Sequence, residues 1–299
     1  MGAKTAIGWT DATVNFWWGC TKVGPGCDHC YAEKWDQRTG GAHWGVGVPR
    51  RKIASAERLI GRLNDKQPGT RAFVQSMSDL FDVEVPLEWF DHAWNCIHAA
   101  ERLRLQIVTK RVSVIEKRLA QIWHGTWPKH AGLIITVVNQ EEADRDVPRA
   151  LALKAKLRIP WLGLSIEPQL GPIMLPVPRA GGLWHLTTTR GAPNGEPWLA
   201  DPDGHKWSAY DLMSFECVDW VISGGESKQG KDHEPRVYDL AWARSLRDQC
   251  AAAGVAYFQK QVGSMPFPYL ATRLKDRAGA DPAEWPEDLR VQQFPEALR

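Results

Sequence analysis

The chain has no apolar run approaching the roughly 18 residues of a membrane-spanning helix, which excludes a helical integral membrane protein. Its first residues, Met1 to Asn15, lack the basic-then-apolar order of a secretory signal, so a cytoplasmic setting is expected. It also lacks an excess of one charge: 37 Lys and Arg stand against 35 Asp and Glu, a net charge of +2. That balance demands no nucleic-acid partner and leaves room for a local basic groove. No internal repeat or low-complexity array is visible, which sets aside solenoids and propellers. No Gly-rich phosphate loop follows the first candidate strand, which removes the main support for a dinucleotide-binding open sheet.

What the chain does have is an ordinary globular composition, 43% hydrophobic and 24% charged over 299 residues, enough for one large domain or two small ones. Tryptophan is abundant, with 16 copies. A tryptophan joins a large apolar face to one N–H donor, so these residues can fill a core or form a stacking platform.

Short β-rich runs alternate with helical patterns. The expected strands cover residues 13–18, 71–76, 105–109, 133–137, 161–166, 220–223 and 256–259. Between them, residues 85–103 put Phe90, Ala93, Trp94, Ile97 and Ala100 on one stripe at helical spacing. Residues 112–122, 141–157 and 238–253 read as further helices, and Gly254 follows the last as a C-cap signal. Residues 54–65 fit a helix or an irregular strand. Repeated strand–helix units imply a parallel sheet covered by helices. The expected fold class is therefore α/β, a full or partial parallel β/α barrel of about six to seven strands. Residues 176–216, rich in Pro, Gly and Trp, break the rhythm and read as a small β-hairpin insertion, either surface decoration or a lid carrying Trp184, Trp198 and Trp207. The expected organisation is a barrel over 1–263 containing that insertion, then an irregular Pro-rich tail over 264–299.

Six cysteines are present. Cys96, Cys217 and Cys250 are scattered and read as small buried hydrophobes. Cys20, Cys27 and Cys30 form a C-x6-C-x2-C arrangement in a loop containing Gly19, Gly24, Pro25 and Gly26, and such a loop can curl three thiolates toward one point. A [4Fe–4S] cluster normally takes four thiolates, so three leave one iron open to the amino and carboxylate groups of S-adenosylmethionine. Zinc is the alternative, with His29 or His43 as fourth ligand. A redox pair or coincidental clustering is the third reading.

In β/α barrels, chemistry collects where the strands exit. Nearly every expected strand here runs out into polar residues. The second gives Ser76, Ser78 and Asp79; the third Lys110 and Arg111; the fourth Asn139; the fifth Glu167; the sixth Gly224, Gly225 and Glu226; the seventh Lys260. Lys110, Glu167 and Glu226 are the candidate catalytic residues, and Ser76, Ser78, Asp79, Gly224, Gly225 and Glu226 the candidate cofactor-binding residues. Helix capping is the plainer reading of Ser78, Asp79 and Asn139. For Glu167 and Glu226 it is a salt bridge to Lys110, Arg111 or Lys260. Gly224 and Gly225 would let a ligand approach the backbone.

These residues, with Trp9-Thr10-Asp11-Ala12-Thr13 ahead of the cysteine loop, Leu80-Phe81 after Asp79 and Glu284 to Val291 near the end, resemble a bacteriophage and prophage family of unknown function known for a three-cysteine motif. The family looks radical-SAM-like. The resemblance implies an iron–sulfur enzyme with a [4Fe–4S] cluster on Cys20, Cys27 and Cys30 and S-adenosylmethionine as cofactor. It differs from most radical SAM enzymes in the first cysteine spacing, six residues instead of three. A phage setting implies the host cytoplasm and a nucleic-acid or nucleotide substrate, for which Arg50, Arg51, Lys52 and exposed tryptophans are candidate contacts. A zinc-stabilised nucleic-acid-binding module and a phage protein acting through a partner enzyme, neither using redox chemistry, are the rival expectations.

Overall fold

The computed structural model describes residues 2–175, 218–230, 234–268 and 274–299, together with the backbone of Pro178–Arg179, Leu183–Trp184, Trp198–Ala200 and Lys206–Ser208. Seven strands form one parallel sheet: β1 (Ala12–Val14), β2 (Arg71–Val74), β3 (Arg104–Thr109), β4 (Ala131–Thr136), β5 (Leu162–Ile166), β6 (Trp220–Gly224) and β7 (Ala256–Gln261). Their spatial order is their order in the chain, with β1 and β7 as the two edges. The sheet is thus a half-barrel, the partial form of the expected barrel. Among the described residues six helices accompany it: α1 (Tyr31–Arg38), α2 (Ala56–Lys66), α3 (Leu87–Ala99), α4 (Ile115–Leu119), α5 (Gln140–Leu157) and α6 (Leu240–Ala253).

The strands were legible because apolar residues fill both faces. Along β2, Ala72 and Val74 join the helix-side core while Phe73 joins the concave side. Along β6, Val221 faces the helices while Trp220 and Ile222 face the hollow. The stripe expected on α3 is buried as read, at Phe90, Ala93, Trp94 and Ile97. Residues 54–65 resolve into the helix α2, which buries Ala56, Ile60 and Leu63 at helical spacing. Asn139 caps α5, its side chain accepting from the Glu142 N–H at 2.8 Å, so the capping reading holds there. Asp239 caps α6, and Gly254 closes it in a left-handed conformation with φ 68°.

The tryptophans are divided by the fold. Trp9, Trp161 and Trp220 lie on the concave face with Phe73, Phe258 and Ile222 and plug the hollow. Their rings meet edge to face, Trp161 to Trp220 at 6.2 Å and Trp220 to Phe258 at 6.0 Å. Gly132 makes room for this plug, since a Cβ there would sit 1.9 Å from the Trp161 ring. At the other extreme, Trp123 is 90% exposed.

Both sheet edges are covered. Gly2 O accepts from the Thr13 N–H beside β1. Along β7, the Gln259 N–H donates to Val291 O and the Gln293 N–H to Tyr257 O, each at 2.8 Å, so the last residues add a strand-like segment. Trp285, Leu289 and Leu298 of residues 264–299 are buried. Within 176–216, Trp198–Ala200 pairs antiparallel with Lys206–Ser208, a small hairpin. The position of that insertion against the site, the side chains of Trp184, Trp198 and Trp207, and Cys217 lie outside the described residues.

Replacing Trp220 by Ala should cost about 3–5 kcal/mol of folding stability in denaturant titration, the range for a fully buried large aromatic. Trp123→Ala should stay within about 0.5 kcal/mol of wild type, as an exposed substitution does.

Candidate functional site

At the C-terminal ends of the strands the hollow opens into a cavity of about 430 Å³. Cys20, Cys27 and Cys30 line it together with Lys110, Glu167, Glu226 and Lys260, the residues the sequence placed past the first, third, fifth, sixth and seventh strands. Ser76, Ser78, Asp79 and Gly225 line it too, whereas Gly224 does not. The walls are aromatic at Trp9, Tyr31, Trp44 and Phe73.

The three thiols sit close enough that a charge on Cys27 would raise the pKa of both others. Burial pushes the Cys20 thiol up to about 12, with Asp79 adding to the effect and Arg111 opposing it. Burial raises Cys30 as well. Three thiolates on one tetrahedral zinc would stand about 3.8 Å apart, from the bond length of roughly 2.3 Å. Among the described residues, the ligand atoms that meet within 4.8 Å in a group of three belong elsewhere, to Glu57, His92 and Cys96. The three loop thiols do not meet as a group within that distance. Among the described residues, neither His29 nor His43 forms a compact group of three ligand atoms with them; His29 Nδ1 is 3.0 Å from Glu226 Oε2, and His43 Nδ1 is 2.8 Å from Asp36 Oδ1. Cys250 lies in the apolar core, as expected, while Cys96 is half-buried beside His92 and not a plain core residue.

Polar contacts hold the loop. Gly19 pairs with Ser78 past the end of β2. It has φ 105°, and a Cβ there would come within 2.3 Å of His43 O, so only glycine fits. Arg50 is buried beneath the loop. Its Nε donates to Asp82 at 2.9 Å, its Nη2 to Thr21 Oγ1 at 2.7 Å, and its Nη1 to Gly45 O and Val48 O at 2.9 and 2.7 Å. Arg111 donates from Nη2 to Thr21 O at 2.9 Å and to Cys20 Sγ at 3.3 Å. Tyr31 donates to Ser76 O at 2.6 Å, tying the start of α1 to β2.

Several sequence candidates serve this scaffold. Asp79 accepts from Thr109 Oγ1, the Lys110 N–H and the Phe81 N–H at 2.8–3.0 Å, so it joins the exits of β2 and β3. Ser78 donates to Trp17 O at 2.9 Å. Neither caps a helix. Gly224 and Gly225 do not open the backbone to a ligand: a Cβ on Gly225 would meet Val262 O at 2.7 Å and Tyr238 at 2.8 Å, so protein occupies that space. Glu226 is ion-paired with Arg236 and within hydrogen-bond distance of His29, in place of the partners first considered. Arg236 donates to it from Nη2, the backbone N–H and Nε at 2.7, 2.8 and 3.1 Å. The same guanidinium reaches Pro25 O at 2.9 Å, inside the cysteine loop. Burial pushes the Glu226 carboxyl up, but the Arg236 and His29 hydrogen bonds outweigh it and leave the pKa below the ordinary value of 4.5. Glu167 pairs with Lys260 through one oxygen, as one reading expected, while its other oxygen, Oε1, is buried with no partner among the described residues. Lys110 has no side-chain hydrogen bond among the described residues and faces the cavity.

Sequence reasoning missed Arg236 and Asp82, and it took Arg50 with Arg51 and Lys52 as a candidate nucleic-acid contact, whereas Arg50 is buried. Arg51 and Lys52 are exposed, Arg51 over the Trp18 ring and Lys52 over the Trp89 ring, each at 5.5 Å.

With this geometry in place, the chain can be assigned by comparison. It belongs to a family of proteins of unknown function, DUF5131, whose model matches residues 4–285. No curated protein gives a significant match. Among solved structures it is similar to spore photoproduct lyase. One mutant of that enzyme is 14% identical over 86% of this chain and 78% of its own, with a TM-score of 0.43. The lyase complexed with dinucleoside spore photoproduct is 13% identical over 80% and 60%, with a TM-score of 0.31. A double mutant with bound AdoMet and dinucleoside spore photoproduct is 17% identical over 52% of this chain, with a TM-score of 0.33, and the chain spans 45% of that structure's length.

Two outcomes are expected. Arg50→Ala, which leaves the buried Asp82 carboxylate with only the more distant Arg111 guanidinium at 3.8 Å as an ion partner, should cost about 3 kcal/mol in denaturant titration. Because the pKa of Glu226 is depressed in the folded state, its stabilising effect is present above pH 4.5 and lost as pH falls through the lower folded value. The stability difference between wild type and Glu226→Gln should therefore shrink on acidification below pH 4.5, and a difference that grows there would contradict the pairing.

Proposed function

We propose that this chain is a radical SAM-type iron–sulfur enzyme, with Cys20, Cys27 and Cys30 holding a [4Fe–4S] cluster and S-adenosylmethionine bound beside it in the 430 Å³ cavity. The observation that carries this reading is the set of three loop thiols on one cavity at the strand exits. When bound, the cluster would supply the electron that cleaves the sulfonium of S-adenosylmethionine to a 5′-deoxyadenosyl radical.

The chain's own residues prepare that space. Lys110 offers an unpaired ammonium to a carboxylate or phosphate. The buried Oε1 of Glu167, whose partner oxygen is held by Lys260, is an acceptor in want of a donor such as a ligand amino or hydroxyl group. Arg111 places a positive charge beside Cys20, which favours its thiolate. Trp9, Tyr31, Trp44 and Phe73 give flat apolar walls against which a nucleoside base can stack and from which water is excluded. A nucleotide or nucleic-acid substrate is the class this lining fits. The half-barrel and its loop form the catalytic unit, with 176–216 as an insertion in it.

Anaerobic reconstitution with iron and sulfide should give a brown protein with about four irons per chain and a broad thiolate-to-iron absorption. Cys20→Ser, Cys27→Ser and Cys30→Ser should each abolish it while leaving the thermal melt of the unloaded chain nearly unchanged. Dithionite and S-adenosylmethionine should then yield 5′-deoxyadenosine and methionine. A colourless chain that binds one zinc, lost in the same variants, would replace this reading.

A further inference from the structure

Away from the cavity, three side chains of differing ligand chemistry meet on the outer surface of the α2–α3 pair. Glu57 stands in the first turn of α2, and His92 and Cys96 are four residues apart on α3, hence on one face. His92 Nε2 lies 3.3 Å from Glu57 Oε2 and 3.8 Å from Cys96 Sγ. All three ligand atoms lie within 4.8 Å of one another.

These separations have a chemical meaning. Zinc bound tetrahedrally at ordinary Zn–S, Zn–N and Zn–O lengths sets its sulfur about 3.6 Å from its nitrogen and its nitrogen about 3.4 Å from its oxygen. The side chains already stand within a few tenths of an ångström of both. The arrangement is poor for hydrogen bonding alone, because one ring nitrogen faces both a thiol and a carboxylate and can donate only one proton. An ion between them would satisfy all three at once.

We infer that Glu57, His92 and Cys96 form a second metal site, for Zn²⁺, distinct from the cysteine loop. The thiolate and imidazole select a borderline-soft transition ion over Mg²⁺ or Ca²⁺. The ligands ride on helices fixed from behind: α3 by Phe90, Ala93, Trp94 and Ile97, and α2 by Ala56, Ile60 and Leu63, all buried. Access is open, since the His92 and Glu57 side chains are 44% and 65% exposed. Three protein ligands leave a fourth position for water or a ligand group. A cavity of about 270 Å³, lined by Glu57 and His92 with Trp89 and Lys52, borders that position.

Cobalt titration of the full chain under reducing, anaerobic conditions tests this. Wild type, Cys96→Ser and His92→Ala carry the same loop thiols, so differences among them report this site alone. Wild type should take up one more Co²⁺ per chain than either variant, and the extra ion should show sulfur-to-cobalt charge transfer and tetrahedral ligand-field bands. His92→Ala should weaken that uptake about tenfold or more, and Cys96→Ser should remove the sulfur band. Zn²⁺ should also raise the melting temperature of wild type more than that of either variant, since an ion held by both helices binds only the folded state. Equal stoichiometry and equal melting shifts in all three proteins would overturn the site.

Discussion

The cysteine loop contributes few buried apolar side chains, so its position depends on guanidinium groups that bind its backbone and the acids beneath it. Arg50 and Asp82 form a fully buried pair under the loop, and Arg50 spends its remaining donors on Thr21 and on the carbonyls of residues 45 and 48. Arg111 holds Thr21 O from the exit of β3. Arg236 holds Pro25 O from beyond β6, and Glu226 orients it. Such pairs stabilise little against an apolar alternative, but removing one partner strands a buried charge. Their effect is to select one loop conformation, the one that turns three thiols onto the cavity.

That constraint separates two kinds of polar residue at the mouth. Asp79 and Glu226 have their oxygens occupied by the scaffold. Among the described residues, Lys110 and Glu167 Oε1 have no such partner, and both residues line the cavity. Along the barrel axis there is a matching division. The plug of Trp9, Trp161, Trp220 and Phe258 supplies apolar burial at the base of the concave face, and the strand exits above it carry the polar groups.

The strands and most helices were legible in the sequence because burial on both faces writes short apolar runs, and helix burial writes a stripe. The loop was legible because C-x6-C-x2-C among glycines has few other uses. Helix α1 escaped notice: it buries only Ala32 and Asp36, and Cys30 at its start provides no side-chain cap. Arg236 was invisible because a long-range pair, ten residues past Glu226 and outside regular structure, leaves no periodic trace. The Gly224-Gly225 pair misled for a related reason. A glycine marks close approach, but the sequence does not say whether ligand or protein approaches, and here Tyr238 and the residues after β7 do.

The central claim is that three thiols leave one position of the cluster open to S-adenosylmethionine. Electron paramagnetic resonance of the dithionite-reduced, reconstituted protein, recorded with and without S-adenosylmethionine, tests it most directly. The account predicts the low-temperature signal of a reduced [4Fe–4S] cluster whose g values shift when S-adenosylmethionine is added. A cluster signal that S-adenosylmethionine leaves unchanged, or the absence of any such signal from a protein loaded with iron and sulfide, would contradict it.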